Sequence, residues 1–326
     1  MLLLLLISCI YFVTIGVLVY GFTKINQFEP STIKPTTAFT IIVPFRNEAK
    51  NLPFLLESLS QLNYPSHLFQ VILVDDASSD GFQVSGLPFT TTIINNNRVS
   101  NSPKKDAIVT AMNTVTTEWI ITTDADCTAN KNWLLTLDNY IQTHDVRMIA
   151  GAVTYDCQNT FLHQFQQLDL ASLQGATIGS FGIRKGFMCN GANLAYTKTL
   201  FQELNGFNGN DTIASGDDVF LLQKAIAQFP KQVHYLKSKH NIVTTKPLNE
   251  WKSLFHQRVR WASKTTSYQS NFGKFLGVVV LMGNLGWILT LGFWIFGLIS
   301  IEFTIILSLL KFAIDAILIF KTNTFL

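Results

Sequence analysis

Two carboxylates close an apolar run. In "WIITTDADCT", residues 119–128, strand-forming side chains give way to Asp124 and Asp126. Acids two apart suit one hard divalent cation, because magnesium and manganese take oxygen ligands and fill their shell with water and phosphate oxygens. The same triplet also serves as a solvated turn or in a phosphate-handling enzyme, so alone it leaves all three open. Other charged sets stand elsewhere in the chain. "VDDASSDG" (74–81) carries Asp75 and Asp76 at the end of another apolar run. "SGDD" (215–218) puts Asp217 and Asp218 in the first turn of a predicted helix, where carboxylates complement the helix dipole or, at a pocket rim, supply a general base. "PKKDAI" (103–108) adds Lys104 and Lys105. In "QRVRW" (257–261), Arg260 suits a leaving diphosphate and Trp261 a sugar ring. A basic aromatic helix beside a membrane span also snorkels its cations toward headgroups.

Alternating elements must position these groups. Strands are predicted at 39–45, 69–76, 91–96, 118–126 and 146–155. Helices are predicted between them at 47–62 with Asn47 as cap, at 102–115 with Ser102 as cap and Pro103 at the first position, and at 132–144. This alternation implies βαβ units and a mostly parallel sheet. Ligands of such sheets bind beyond the carboxyl ends of the strands. Pro44 to Arg46, Asp75 with Asp76, and Asp124 with Asp126 all fall at those ends, so they should converge on one edge. Beyond Tyr155 the pattern changes to an amphipathic stretch at 159–182, lying either on a membrane surface or in the domain. Gly191 is expected in a tight turn before a short strand, followed by helices at 215–229 and 248–264.

The chain of 326 residues is 48% hydrophobic and only 14% charged, and the apolar residues are concentrated. Residues 1–22 carry no charge and exceed the roughly 20 needed to cross a bilayer. They lack the basic start and small-residue cleavage site of a signal peptide. Residues 275–301 form a second uncharged run, and 303–320 a third, interrupted by Lys311 and Asp315. Those two share a helix face and can neutralise each other. Lys24, Lys34, Lys264, Lys274 and Lys321 flank the spans, and the positive-inside rule places them in the cytoplasm. Cys9, Cys127, Cys157 and Cys189 have no paired spacing and are read as reduced thiols. A net charge of +3 gives no argument for a nucleic-acid partner.

Taken in order, "VPFRNE", "VDDASSDG", "PKKDAI", "DAD", "CNGANLAY", "SGDD" and "QRVRW" resemble the inverting glycosyltransferases of family 2. The resemblance is greatest to the membrane-bound branch with cellulose, chitin and hyaluronan synthases and ceramide glucosyltransferase, and it covers about residues 37–265. It implies an α/β fold of GT-A type, Rossmann-like, with one transmembrane helix at 1–22 and two more at 275–298 and 301–320. The cytoplasmic domain would be 23–273, with a nucleotide-sugar half at 37–155 and an acceptor half with an interfacial helix at 156–265. By resemblance, Pro44, Arg46 and Glu48 with Asp75 and Asp76 hold the base and ribose of the donor. Lys104 or Lys105 lies near the diphosphate, Asp124 contacts ribose or metal-bound phosphate, and Asp126 is the principal ligand of a magnesium or manganese ion. Asp218, preceded by Asp217 where the family often has Glu, is the catalytic base. Gly191 and the strand after it line the acceptor side, and Gln257, Arg260 and Trp261 close over diphosphate and acceptor.

The implied reaction moves a sugar from a nucleotide diphosphate donor, uridine-linked by family habit, to a lipid-linked or glycan acceptor at a bacterial inner membrane. So few spans leave little room for a translocation channel, which weighs against a processive polysaccharide synthase. Three other readings stay open. "DADCT" fits the D-x-D-x-T of a haloacid-dehalogenase-like phosphatase, although that nucleophile follows the first strand of its fold. A nucleotidyltransferase would want a glycine-rich loop that "PFRNEAKN" lacks. A membrane scaffold with a decayed catalytic domain is the non-enzymatic choice.

Overall fold

The computed structural model describes residues 1–210, 216–263 and 268–326; Ser215 of "SGDD" and Lys264 among the flanking lysines lie outside the described residues. The chain forms two compact units. One comprises Gln27–Gln167 and Met188–Ser267, the other Met1–Asn26, Leu168–Phe187 and Tyr268–Phe325.

The first of these is built on a seven-stranded sheet. Strands β1 (Phe39–Phe45), β2 (Phe69–Asp75), β3 (Thr90–Asn95) and β4 (Trp119–Thr122) run parallel in the order β3-β2-β1-β4. β1 and β2 are near-continuous apolar runs, as strands covered on both faces must be. Helices α2 (Leu52–Ser60) and α3 (Pro103–Met112) make the crossovers from β1 to β2 and from β3 to β4. Past β4 come β5 (Cys127–Ala129), α4 (Trp133–Thr143), β6 (Met148–Gly151) and β7 (Val153–Tyr155). After α5 (Phe161–Gly182), β8 (Leu194–Thr197) inserts antiparallel between β4 and β6. Then follow α6 (Lys198–Glu203), α7 (Asp217–Gln228), β9 (Val233–Leu236), which extends the sheet parallel to β6, β10 (Val243–Thr245) and α8 (Trp251–Ala262). The sheet is mostly parallel, with one reversed strand.

Two predicted strands are interrupted. The 146–155 run breaks at Ala152, whose carbonyl accepts bonds from Asn193 Nδ2 at 2.8 Å and Val243 N at 3.1 Å. β6 therefore stays in the large sheet, and β7 joins β10 and β5 in a separate three-stranded sheet. The 118–126 run ends at Thr122, and Asp124 to Asp126 form the turn by which the chain leaves one sheet for the other. The predicted cap of the first helix is also corrected. Asn47 sits at a left-handed φ of 57°, and α2 starts only at Leu52. Its side chain instead accepts a bond from Ser79 N at 2.8 Å and its own N–H goes to Ser78 Oγ at 2.9 Å, lacing the β1 loop to the β2 loop. Ser102 makes no side-chain cap bond; Asp106 within α3 takes the N–H groups of Val99 and Ser100 at 3.0 and 2.8 Å. Buried Asp138 of α4 fixes the approach to β1 by accepting the N–H groups of Thr36 and Thr37.

The other unit contains α1 (Leu2–Lys24), α9 (Asn271–Ile295) and α10 (Ile301–Phe325), three helices long and apolar enough to cross a membrane. The amphipathic stretch predicted at 159–182 is the single helix α5, and its part from Leu168 onward packs in this unit. There Gly179 lies against the backbone of Leu18, and Gly21 and Gly182 lie against each other's helices, with no room for a Cβ at any of the three. Glycine permits such close approach, the usual device between helices that gain nothing from expelling water. The pairing read for Lys311 and Asp315 is present at 2.7 Å, and Tyr11 of α1 adds its hydroxyl to Asp315 at 2.6 Å. Gly283 of α9 leaves space for the Tyr11 ring. Gly179→Leu should therefore overpack the crossing, costing about 1–3 kcal/mol and lowering the thermal midpoint in detergent. Gly277→Leu, at a position with open space around its Cα, should leave that midpoint unchanged.

Candidate active site

The carboxyl edge of the sheet gathers side chains from β1, β2, β4 and α7. At the end of β2 the two neighbouring acids have different partners. Asp75 accepts Ser78 N at 2.9 Å and shapes the turn. Asp76 is buried and takes Arg98 Nε at 2.5 Å, Arg98 Nη2 at 2.6 Å and Asn96 Nδ2 at 2.7 Å. Burial alone would raise its carboxyl; the Arg98 and Asn96 bonds reverse this and hold it below the usual carboxylate range. Pro44 is half-buried and Arg46 exposed, and Arg46 adds a weaker favourable charge to Asp76. Glu48 takes Asn51 Nδ2 at 2.7 Å.

Lys104 is the hub of the site. Its ammonium lies 2.5 Å from Asp124 Oδ1 and 3.8 Å from Asp217 Oδ2. Burial would lower its proton affinity, but Asp124 and Asp217 outweigh that and hold it well above the usual lysine range. Lys105 is oriented differently. It is fully buried, donates to the Asn210 carbonyl at 2.5 Å and lies over the Phe220 ring at 4.9 Å. Among the described residues, therefore, it is Lys104 that pairs with the acids Asp124 and Asp217. From α7, Lys224 donates to the carbonyls of Leu204, Gly206 and Asn208 at 3.3, 2.8 and 2.7 Å. Residues 204–210 are thus held by ammonium groups of both α3 and α7.

Asp217 and Asp218 open α7 after Gly216, whose φ of 77° is left-handed and suits glycine. The Asp218 carboxylate accepts Gly191 N at 2.8 Å and Val219 N at 2.8 Å. A Cβ on residue 191 would stand 3.2 Å from Asp217 Oδ2, so glycine allows this approach. The Gly191 carbonyl accepts Thr122 Oγ1 at 2.9 Å, tying the turn to the end of β4. Burial, with Asp217 beside it, pushes the Asp218 carboxyl up to about 6 despite Lys104. The strand β8 beyond Gly191 is itself buried in the sheet.

Asp124 and Asp126 offer only oxygen. The Asp126 carboxyl is raised by burial and then by Asp124 and Glu48, an accumulation of like charge that a cation would relieve. Thr245 Oγ1 donates to Asp126 at 3.3 Å. Among the described residues no three His, Cys, Asp or Glu side chains enclose a metal position. Two protein carboxylates completed by water and diphosphate oxygens are nevertheless the usual set for magnesium, so the residues fit such an ion.

Gln257, Arg260 and Trp261 lie on α8, and among the described residues no hydrogen bond or ion pair joins them to the acids. Gln257 accepts Arg258 Nη1 at 2.6 Å, and the Arg258 guanidinium stacks on Trp261 at 4.2 Å. Arg260 is exposed. Motif spacing alone does not single out Arg98, Asn96, Thr122 or Arg258 as site residues. Applying the carboxyl-end rule to the third strand would have exposed "NNNR", residues 95–98.

The family model described as Glycosyl transferase family 2 matches residues 40–204, just over half the chain. The chain belongs to glycosyl transferase family 2. Family membership overturns the phosphatase and nucleotidyltransferase readings: the chain is a glycosyltransferase, and "DADCT" follows the fourth strand. The curated relative Glycosyltransferase AglE of Haloferax volcanii is 21% identical over 227 residues, 68% of this chain and 70% of that protein. The mannosyltransferase PcManGT from Pyrobaculum calidifontis, solved with GDP-Man and Mn2+, is 16% identical with a TM-score of 0.60 over 98% of this chain and 97% of that one. It shares the fold over nearly the whole length. S. aureus TarS 1-349 matches at 20% identity and a TM-score of 0.43, over 58% of this chain and 55% of that chain. In this glycosyltransferase, Lys105→Met should strand a buried carbonyl and cost about 1–3 kcal/mol in denaturant unfolding.

Proposed function

We propose that this protein is a membrane-anchored inverting glycosyltransferase that moves a sugar from a nucleotide diphosphate donor to a hydroxyl of a lipid-linked or glycan acceptor. The observation that carries this reading is Asp218: a carboxylate held by two backbone N–H groups, raised to about 6 and set beside the Lys104 cluster. A base of that strength is suited to neutral pH. Asp218 takes the proton of the acceptor hydroxyl as its oxygen bonds to the anomeric carbon. The bond from that carbon to the diphosphate oxygen breaks on the opposite face, which inverts the centre. Lys104 and Arg260 are assigned to the departing diphosphate, with Gln257 and Trp261 closing over it. Asp76 with Arg98, and the segment Pro44 to Glu48 with Asp75, are assigned to base and ribose. A magnesium or manganese ion held by Asp126 and Asp124 would neutralise diphosphate charge when bound.

The donor half is assigned to 37–155 and the acceptor half to 156–265. Lys24, Lys34, Lys274 and Lys321 support a catalytic domain on the cytoplasmic side of the membrane. Uridine diphosphate is the first nucleotide to test, from the motif resemblance, and guanosine diphosphate the second, from the donor bound in PcManGT.

Uridine or guanosine diphosphate should raise the thermal midpoint of the detergent-purified protein in a manganese-dependent way, and Asp126→Asn should lose that shift. Silence with both nucleotides would remove the donor assignment. Asp218→Asn should keep the shift and lose about 10²- to 10⁴-fold in transfer. Asp218 is active when deprotonated, so kcat/KM should climb with pH and level off above about 6. That limb should vanish in Asp218→Asn; unchanged turnover in the variant would overturn the base assignment.

A further inference from the structure

The apolar helices of the helical unit give their polar side chains partners within the unit. The hydroxyls of Thr14, Thr290, Thr304 and Thr322 each donate to the carbonyl four residues earlier, at 2.7, 2.8, 3.1 and 2.8 Å. Trp287 Nε1 donates to Ser308 Oγ at 3.0 Å, and Tyr11, Lys311 and Asp315 satisfy one another. Asn284 of α9 is different. Its Nδ2 donates to the Val280 carbonyl at 2.9 Å. An amide offers two N–H donors and an acceptor oxygen, and among the described residues nothing takes the second N–H or meets Oδ1. The side chain is exposed, and it stands about 16 to 20 Å from either end of α9, too far for a short amide to reach a headgroup.

Asn284 belongs to a stripe. Leu281, Asn284, Ile288 and Gly292 follow at intervals of three and four, so they share one face of α9. Leu281 is 65% exposed and Ile288 58%, and a Cβ on Gly292 would meet nothing within 4 Å. The buried residues of the helix, among them Val279, Gly283, Gly286 and Thr290, stand about half a turn away. In hydrocarbon no water can take the open amide groups, so they carry a desolvation cost until a partner arrives. That partner must bring a donor and an acceptor together, and it needs no charge, because the stripe has none. Asn284 of a second copy meets this requirement: each amide donates to the other, and the two bonds close reciprocally. A two-fold axis generates such reciprocity, since residues beside it meet their own equivalents. Gly292 lets the two backbones approach closely two turns beyond the amides.

We propose that α9 pairs with the α9 of a second copy along Leu281, Asn284, Ile288 and Gly292, held by reciprocal hydrogen bonds between the two Asn284 amides. This rests on the membrane-anchored part of the proposed function and is independent of the donor and base assignments. The test uses the full chain in phosphatidylcholine liposomes, with Cys9→Ser removing the exposed thiol of α1. Oxidation by copper-phenanthroline should join copies through Ile288→Cys and through Leu281→Cys. It should not join them through Met282→Cys, which is 40% exposed but lies off the stripe. Adding Asn284→Leu should raise the protein-to-lipid ratio needed for half-joining about tenfold, the size of a polar contact between membrane helices. Asn284→Gln keeps donor and acceptor and should restore the joining. Equal joining at 281, 282 and 288 overturns the proposal, as does no joining at 281 and 288. Joining unchanged by Asn284→Leu overturns the role of the amide. Reaction of Ile288→Cys with a membrane-impermeant maleimide would place α9 outside the bilayer and remove the anchored reading together with the pairing. Where the maleimide does not react, a failure to join counts against the pairing alone.

Discussion

Five carboxylates, Asp76, Asp124, Asp126, Asp217 and Asp218, stand at one edge of the sheet, and the neighbours among them, Asp124 with Asp126 and Asp217 with Asp218, would not stay ionised together without compensation. The surrounding structure supplies that compensation unevenly. Asp76 has a guanidinium to itself, Asp124 and Asp217 share the Lys104 ammonium, and Asp218 has two N–H groups. Asp126 receives least and is left with raised proton affinity. The distribution separates the acids chemically although the sequence spells them alike. Neutralised Asp76 is suited to fixed recognition, partly compensated Asp218 to exchanging a proton, and undercompensated Asp126 to attracting a cation.

Much of this was legible because it depended on local pattern. The apolar runs ending in acids located β1, β2 and β4, and the topology of parallel sheets brought their ends together. What was not legible depended on partners distant in the chain. Nothing in "PKKDAI" says which lysine faces the acids; the phase of α3 against β1 and β2 decides it, sending Lys104 to Asp124 and Lys105 to the Asn210 carbonyl. Asn47 reads as a helix cap from its neighbours, yet its partners are Ser78 and Ser79. The break at Ala152 follows from an amide 41 residues away, which no window of strand propensity contains.

The helical unit obeys a different rule. Its helices cannot gain by expelling water from one another, so contact comes from removing side chains, at Gly21, Gly179 and Gly182, and from one polar cluster. Tyr11, Asp315 and Lys311 satisfy each other there, and a slip of α1 past α10 by one residue would separate Tyr11 from Asp315. That fixes register, which apolar packing alone specifies weakly.

The reversed strand β8 alters what the sheet can present. Leu194, its first residue, pairs with Thr122, the last of β4. The connection that precedes β8 therefore opens on the same edge as the connections that follow β1, β2 and β4. Two sets of loops thus reach one edge with opposite chain polarity, and they can change length independently. Insertions between Gly182 and Gly191 would remodel the side facing Asp218 without moving Asp76 or Asp126. One chassis could in this way change what faces Asp218 while the side holding Asp76 and Asp126 stays fixed.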